Sequence, residues 1–133
     1  MPDDFQTMTL PADPTVTAPD GSDVRVLLGL QGGGMAHFEL AAGQTARAVV
    51  HRSVEEIWYV IGGRGQMWRR SGDSEAVTEL TPGVCLTIPL GTHFQFRAAA
   101  DQPVSALAIT MPPWPGPDEA VWVPGPWTPS VSG

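Results

Sequence analysis

The sequence predicts an all-β fold of two facing antiparallel sheets or a closed barrel, and three observations carry that expectation. Short runs rich in Val, Ile, Thr and aromatic residues recur through the middle of the chain, with Gly, Pro or Asp between most of them. No window of a dozen residues has a helical period. The 14 prolines crowd the ends, four within residues 1–20 and seven within residues 111–133. Closure follows from size, because many short strands in 133 residues would otherwise leave unprotected edges.

The elements follow in order. Proline density makes residues 1–20 an extended N-terminal arm. Strands are then expected at Val24–Leu30, Met35–Leu40, Thr45–His51, Ile57–Ile61, Gly65–Arg70, Ala76–Leu80, Val84–Ile88, Phe94–Arg97 and Val104–Thr110. Gly32–Gly34 and Gly62–Gly65 read as turns; no helix follows the second, so it is not a phosphate loop. Residues 112–133 form a second arm, in which Pro117–Val121 is the best helix candidate, at one turn. That arm holds Trp114, Trp122 and Trp127. Such side chains bury large areas. The arm therefore either docks on the barrel or a partner subunit, or covers the barrel mouth and shapes a pocket. The core spans about 21–111, and the whole reads as one domain.

Charge and composition exclude several functions. Seven cations against 14 acids give a net charge of −7, which argues against nucleic acid and anionic membranes as partners. All seven cations are arginines, so Schiff-base chemistry and a P-loop lysine are ruled out. A single cysteine, Cys85, allows no intrachain disulfide and no multi-cysteine metal cage; between Val84 and Leu86 it reads as a buried filler. An acidic start and the lack of a long apolar run suggest a cytoplasmic setting.

The richest segment runs from Gly43 to Gly65. Alternation puts Arg47, Val49 and His51 on one strand face, and Glu56, Trp58 and Val60 on one face of the next strand. If the two strands pair, His51 and Glu56 meet inside the barrel, as a metal half-site or an acid/base pair. Glu55 alternates outward. Arg47 could hold a ligand's carboxylate or phosphate, or pair with an internal acid. Trp58, Trp68, Phe94 and Phe96 read as core, and any that line a cavity would favour a flat or apolar ligand.

These residues resemble the cupin superfamily. In its first motif, G-x5-H-x-H-x3,4-E-x6-G, Gly43, His51, Glu56 and Gly63 take their places. In the second, G-x5-P-x-G-x2-H-x3-N, Gly83, Pro89 and Gly91 do. The resemblance covers residues 43–98 and implies a jelly-roll barrel, a homodimer, and a divalent transition metal (Fe, Mn, Ni or Zn) held by three histidines and a glutamate. The departures are specific. Val49, Phe94 and Ala98 stand where the family has His, His and Asn, so two of the four ligands are missing. Two donors are too few for an ordinary catalytic site. His93 lies one residue from the expected position. Alternation would turn it outward, whereas a bulge would complete a set of His51, Glu56 and His93. His37, on an earlier strand, could replace the ligand lost at Val49 or be an ordinary hydrogen-bonded side chain.

Three functions follow. The first is an enzyme acting on a small organic molecule by proton transfer, as an isomerase, cyclase or lyase, with His51 as shuttle and Glu56 orienting it; Arg47, Val49, Trp58, Phe94 and Phe96 would line its pocket. Metal recruited through His93 would instead permit oxygenase chemistry. The second is a non-catalytic small-ligand binder or sensor. The third is a structural dimer partner with a filled barrel.

Overall fold

A computed structural model describes residues 5–131 as eleven strands in two sheets. In chain order these are β1 (Val16–Thr17), β2 (Asp23–Leu30), β3 (Gly33–Leu40), β4 (Val49–His51), β5 (Glu55–Gly63), β6 (Gly65–Ser71), β7 (Ser74–Leu80), β8 (Cys85–Ile88), β9 (His93–Ala98), β10 (Val104–Met111) and β11 (Ala120–Trp122). One sheet has the order β1-β2-β3-β10-β5-β8 and the other β11-β4-β9-β6-β7, with every pairing antiparallel. This is the expected jelly-roll barrel. No helix among the described residues is long and apolar enough to cross a membrane.

Alternation builds the interior. Glu56, Trp58 and Val60 of β5 point inward and are buried, while Glu55, Ile57, Tyr59 and Ile61 point outward. Val49 and His51 of β4, with Phe94 and Phe96 of β9, close the opposite wall. Phe38 stacks on Trp58 with centroids 5.0 Å apart, and Phe96 meets the same ring edge-on at 5.0 Å. The core is thus an aromatic column packed by Leu40, Met67, Leu80 and Ile88.

Two turns fix the frame that holds β5 and β9. Gly63 adopts φ +71°, and a Cβ there would run into the Pro103 carbonyl. Gly91 adopts φ +85° in the turn where the Thr92 amide donates to the Pro89 carbonyl at 3.1 Å, which re-aims the chain from β8 into β9.

Two core segments and one arm depart from expectation. The strand expected over Thr45–His51 is regular only at Val49–His51; before it a single bridge joins Thr45 to Arg97. The C-terminal arm takes the vacant partners, with the Val123 amide on the Ala48 carbonyl and the Ser130 amide on the Thr45 carbonyl, both at 3.0 Å. Pro117–Val121 is not a helix: Ala120–Trp122 forms β11, paired with β4, because the edge of β4 offers free backbone groups that one helical turn could not satisfy. Cys85 is exposed rather than buried, since its parity in β8 puts Leu86 inward and the thiol outward.

The C-terminal arm docks along the barrel. Gln95, fully buried, donates from its amide to the carbonyls of Ala46 and Trp127, each at 2.8 Å, and accepts from the Trp127 amide at 3.1 Å. Arg97 lies 4.0 Å over the Trp127 ring.

Candidate functional site

The sequence brings His51 and Glu56 to the same place for a simple reason. The two strands do not pair, contrary to expectation: β4 and β5 lie in opposite sheets, joined by the Arg52–Val54 turn, and His51 and Glu56 meet because both point inward from facing walls. They line one small hollow with Val49, Trp58, Phe94 and Phe38 from the barrel. Ala18, Pro19 and Asp20 of the N-terminal arm and Trp114 and Ala120 of the C-terminal arm complete its wall. The hollow has a volume of about 20 Å³, room for one water molecule.

Glu56 is 3% exposed, and its Oε1 accepts a 2.8 Å bond from the indole N–H of Trp58. Burial raises its carboxyl to about 7; the Trp58 bond pulls the other way, and the charges of Asp20 and Glu119 add to the rise. Glu56 is therefore about half protonated at neutral pH.

His51 is gripped edge-on by two rings, Phe94 and Trp114, each with its centroid 5.2 Å away. Its Nδ1 is buried without a hydrogen-bond partner. Burial lowers its pKa, opposed by the Glu119 carboxylate and the Val54 backbone, so the imidazole is neutral at pH 7. The expectation that Glu56 orients His51 is corrected, because no hydrogen bond joins them. The carboxyl group is held by Trp58 instead, and the carboxylate whose charge favours the imidazolium most is Glu119.

Two functional candidates come from the arms. Asp20 is buried on the hollow, and its Oδ1 accepts from the Ser22 amide at 2.9 Å and hydroxyl at 2.6 Å. Burial raises its pKa despite these bonds. Glu119 clamps the turn between β4 and β5, accepting from the Ser53 amide, the Ser53 hydroxyl and the Val54 amide at 2.7, 2.7 and 2.8 Å. Burial would raise its carboxyl, but these bonds and the nearby His51 outweigh it and hold it below the usual range.

The remaining expected residues separate. Val49, Trp58 and Phe94 line the hollow as expected. Phe96 lies behind Trp58 in the core and is not part of the wall. Arg47 is corrected as an anion anchor: its guanidinium sits 4.1 Å over the Trp122 ring, away from the hollow. Trp68 is buried, as expected, but away from the hollow, and its indole N–H donates to Glu75 at 2.7 Å.

His93 does not join His51 and Glu56. β9 has no bulge, so His93 shares the outward parity of Gln95 while Phe94 and Phe96 take the interior. His37 likewise faces outward, buried beside Arg25, whose guanidinium lies 3.5 Å from its Nδ1; burial first, then Arg25, lowers its pKa. Among the described residues, no group of three or more His, Cys, Asp or Glu side chains could hold a metal ion. Val49 and Phe94 face each other directly across β4 and β9, so apolar side chains fill both vacated ligand positions. The residues present do not fit the four-ligand metal site that the resemblance implied, nor the set built on His93.

The family model described as "Cupin domain" matches residues 36–110. No curated protein matches. Among solved structures, a cupin protein from Bacteroides fragilis is 27% identical, with 83% of this chain and 86% of that one covered and a TM-score of 0.63. A conserved protein with a double-stranded β-helix domain from Klebsiella pneumoniae is 17% identical, with 78% and 85% covered and a TM-score of 0.63. An oxalate decarboxylase mutant from Bacillus subtilis is 16% identical; 84% of this chain matches 30% of that one, with a TM-score of 0.68.

Proposed function

This chain belongs to the cupin family, and from that premise we propose that it binds a small, largely apolar organic molecule at the His51–Glu56 hollow and moves a proton on it without a bound metal. The observation that carries this reading is a carboxyl group at about 7, enclosed with an unpartnered imidazole nitrogen and a second buried carboxyl, Asp20. Burying such groups costs free energy that an apolar core would not incur. A group titrating near the working pH is suited to both accepting and donating a proton.

In this reading ionised Glu56 takes a proton from a carbon beside a carbonyl and returns it at a neighbouring position, a net isomerisation. His51 Nδ1 hydrogen-bonds the substrate oxygen as charge develops on it. Trp58 and Phe38 offer a flat apolar wall, which favours a planar guest. The hollow in its closed form admits one water, so the guest enters as Trp114 swings aside. That ring is the most exposed part of the wall, at 37%, and lies in a proline-rich loop outside both sheets.

The small volume supports a second reading, a barrel that binds a ligand or only fills itself and performs no reaction. Deuterium exchange separates the two. Small cyclic ketones and 1,3-diketones are incubated with the protein in D2O and followed by proton NMR. Exchange at the α-carbon that disappears in Glu56→Gln supports the proposal. No exchange above buffer with any compound, or exchange unchanged in Glu56→Gln, refutes it.

A further inference from the structure

The wall of the hollow carries more acid than the protein balances. Asp20 and Glu56, 6% and 3% exposed, both line it, and each has one oxygen tied. The Ser22 amide and hydroxyl hold Oδ1 of Asp20, and the Trp58 indole holds Oε1 of Glu56. Among the described residues no donor reaches the second oxygen of either carboxyl. His51, 7% exposed, lines the same space with Nδ1 unpartnered. The Glu119 carboxylate acts on it from the turn between β4 and β5. No arginine is in the wall, the sequence has no lysine, and Arg47 is drawn away over the Trp122 ring. Four aromatic rings, Phe38, Trp58, Phe94 and Trp114, supply much of the remaining lining.

We propose that the guest of this hollow is a protonated amine, its ammonium head seated on the free oxygen of Asp20 beside Glu56 and its apolar body along the rings. The inference rests on the small-molecule reading above and names the class of that molecule. Charge is the first argument. Burial raises both carboxyls, and the charge of Asp20 adds to the rise at Glu56. A neutral guest would displace water and leave the pair with still less to balance it, whereas a cation favours the ionised form of each. Hydrogen bonding is the second: an ammonium group only donates, and an ionised carboxylate only accepts. Aromatic lining is the third, because cations are attracted to ring faces, most strongly those of Trp. Size is the fourth. An ammonium head takes about the room of one water molecule, which the closed hollow already provides. Only the body of the guest then needs Trp114 to move. The arrangement also serves the proposed proton transfer. A cation at Asp20 keeps Glu56 ionised, the form that takes the proton, and leaves His51 Nδ1 for the guest's carbonyl.

Isothermal titration calorimetry of the full chain at pH 7 tests this with benzylamine, protonated at that pH, and benzyl alcohol, its neutral near-isostere. Benzylamine should bind at least tenfold more tightly than the alcohol. Asp20→Asn, which keeps an acceptor for Ser22, should abolish that preference, and Glu56→Gln should reduce it at least threefold. Glu55→Gln, at an outward carboxyl on the same strand, should leave it unchanged, which separates the hollow from the general acidity of the chain. Equal affinity for the two compounds overturns the inference, as does a preference that survives Asp20→Asn or is lost in Glu55→Gln. So does a failure of benzylamine to bind. Deuterium exchange at a ketone that depends on Glu56 would in each of those cases leave the small-molecule reading standing, so the two can fail separately.

Discussion

Replacing Glu56 with Gln removes one titratable proton while keeping an oxygen that accepts the Trp58 indole bond. In the folded protein the carboxyl titrates at about 7, against an ordinary value of 4.5. Between those values the folded state holds a proton that the unfolded chain has released. Stability from this group is therefore complete below about 4.5, falls as the pH rises through that interval, and is fully lost above 7. The gap corresponds to about 3 kcal/mol. Glu56→Gln carries no such cost. Urea unfolding at pH 5 and pH 8 should give similar midpoints for the two proteins at pH 5. At pH 8 the variant should be more stable by about 3 kcal/mol, or roughly 1–2 M urea. Because the Asp20 charge contributes to the Glu56 rise, the same comparison made in an Asp20→Asn background isolates the Glu56 difference. Parallel profiles, with no gain at pH 8, would refute the claim that the carboxyl group is held in a dry interior.

Trp114→Ala should enlarge the hollow from about 20 Å³ and cost about 1–2 kcal/mol, less than a fully buried Trp because the ring is partly exposed. Indole should then raise the melting temperature of the variant and not of the wild type. Glu119→Ala leaves two backbone amides and a hydroxyl without their acceptor and should destabilise by about 2–4 kcal/mol, read by urea unfolding. Because the Glu119 carboxyl lies below its usual range, its stabilisation is complete above about 4.5 and disappears as the pH falls; the variant should have a flatter acid limb. Val49→His combined with Phe94→His restores imidazoles at the two filled positions beside His51 and Glu56. Elemental analysis should find near-stoichiometric transition metal in that double variant, and its absence would count against the account of how the site was lost.

The barrel and half of the site were legible because both obey local rules. Two-residue alternation and turn chemistry fix which side of each strand meets the core, and that is enough to bring His51 and Glu56 together. The same rule decides His93, whose one-residue offset turns it away from the hollow in an unbulged β9. It also explains Cys85, where apolar neighbours suggested burial but parity put the thiol outside. Asp20 and Glu119 were not legible, and Trp114 only as one of three tryptophans in an arm that could dock on the barrel or cover its mouth. They come from proline-rich segments without periodicity, and their positions depend on tertiary contacts separated by up to 66 residues, as for Glu119 and Ser53. Arg47 failed for a related reason: the strand it was assigned to loses regularity before Val49, so parity no longer aims its side chain.

The Trp114 wall and the Glu119 clamp both lie beyond β10, so the hollow lacks these two parts until the segment that follows β10 has been made. A nascent polypeptide halted before residue 112 would hold the Phe38, Trp58 and Phe94 surfaces in contact with solvent, and Glu56, no longer enclosed, would lose the burial that raises its carboxyl. Removal of the segment after β10 would therefore leave a barrel with a bare aromatic lining, prone to self-association.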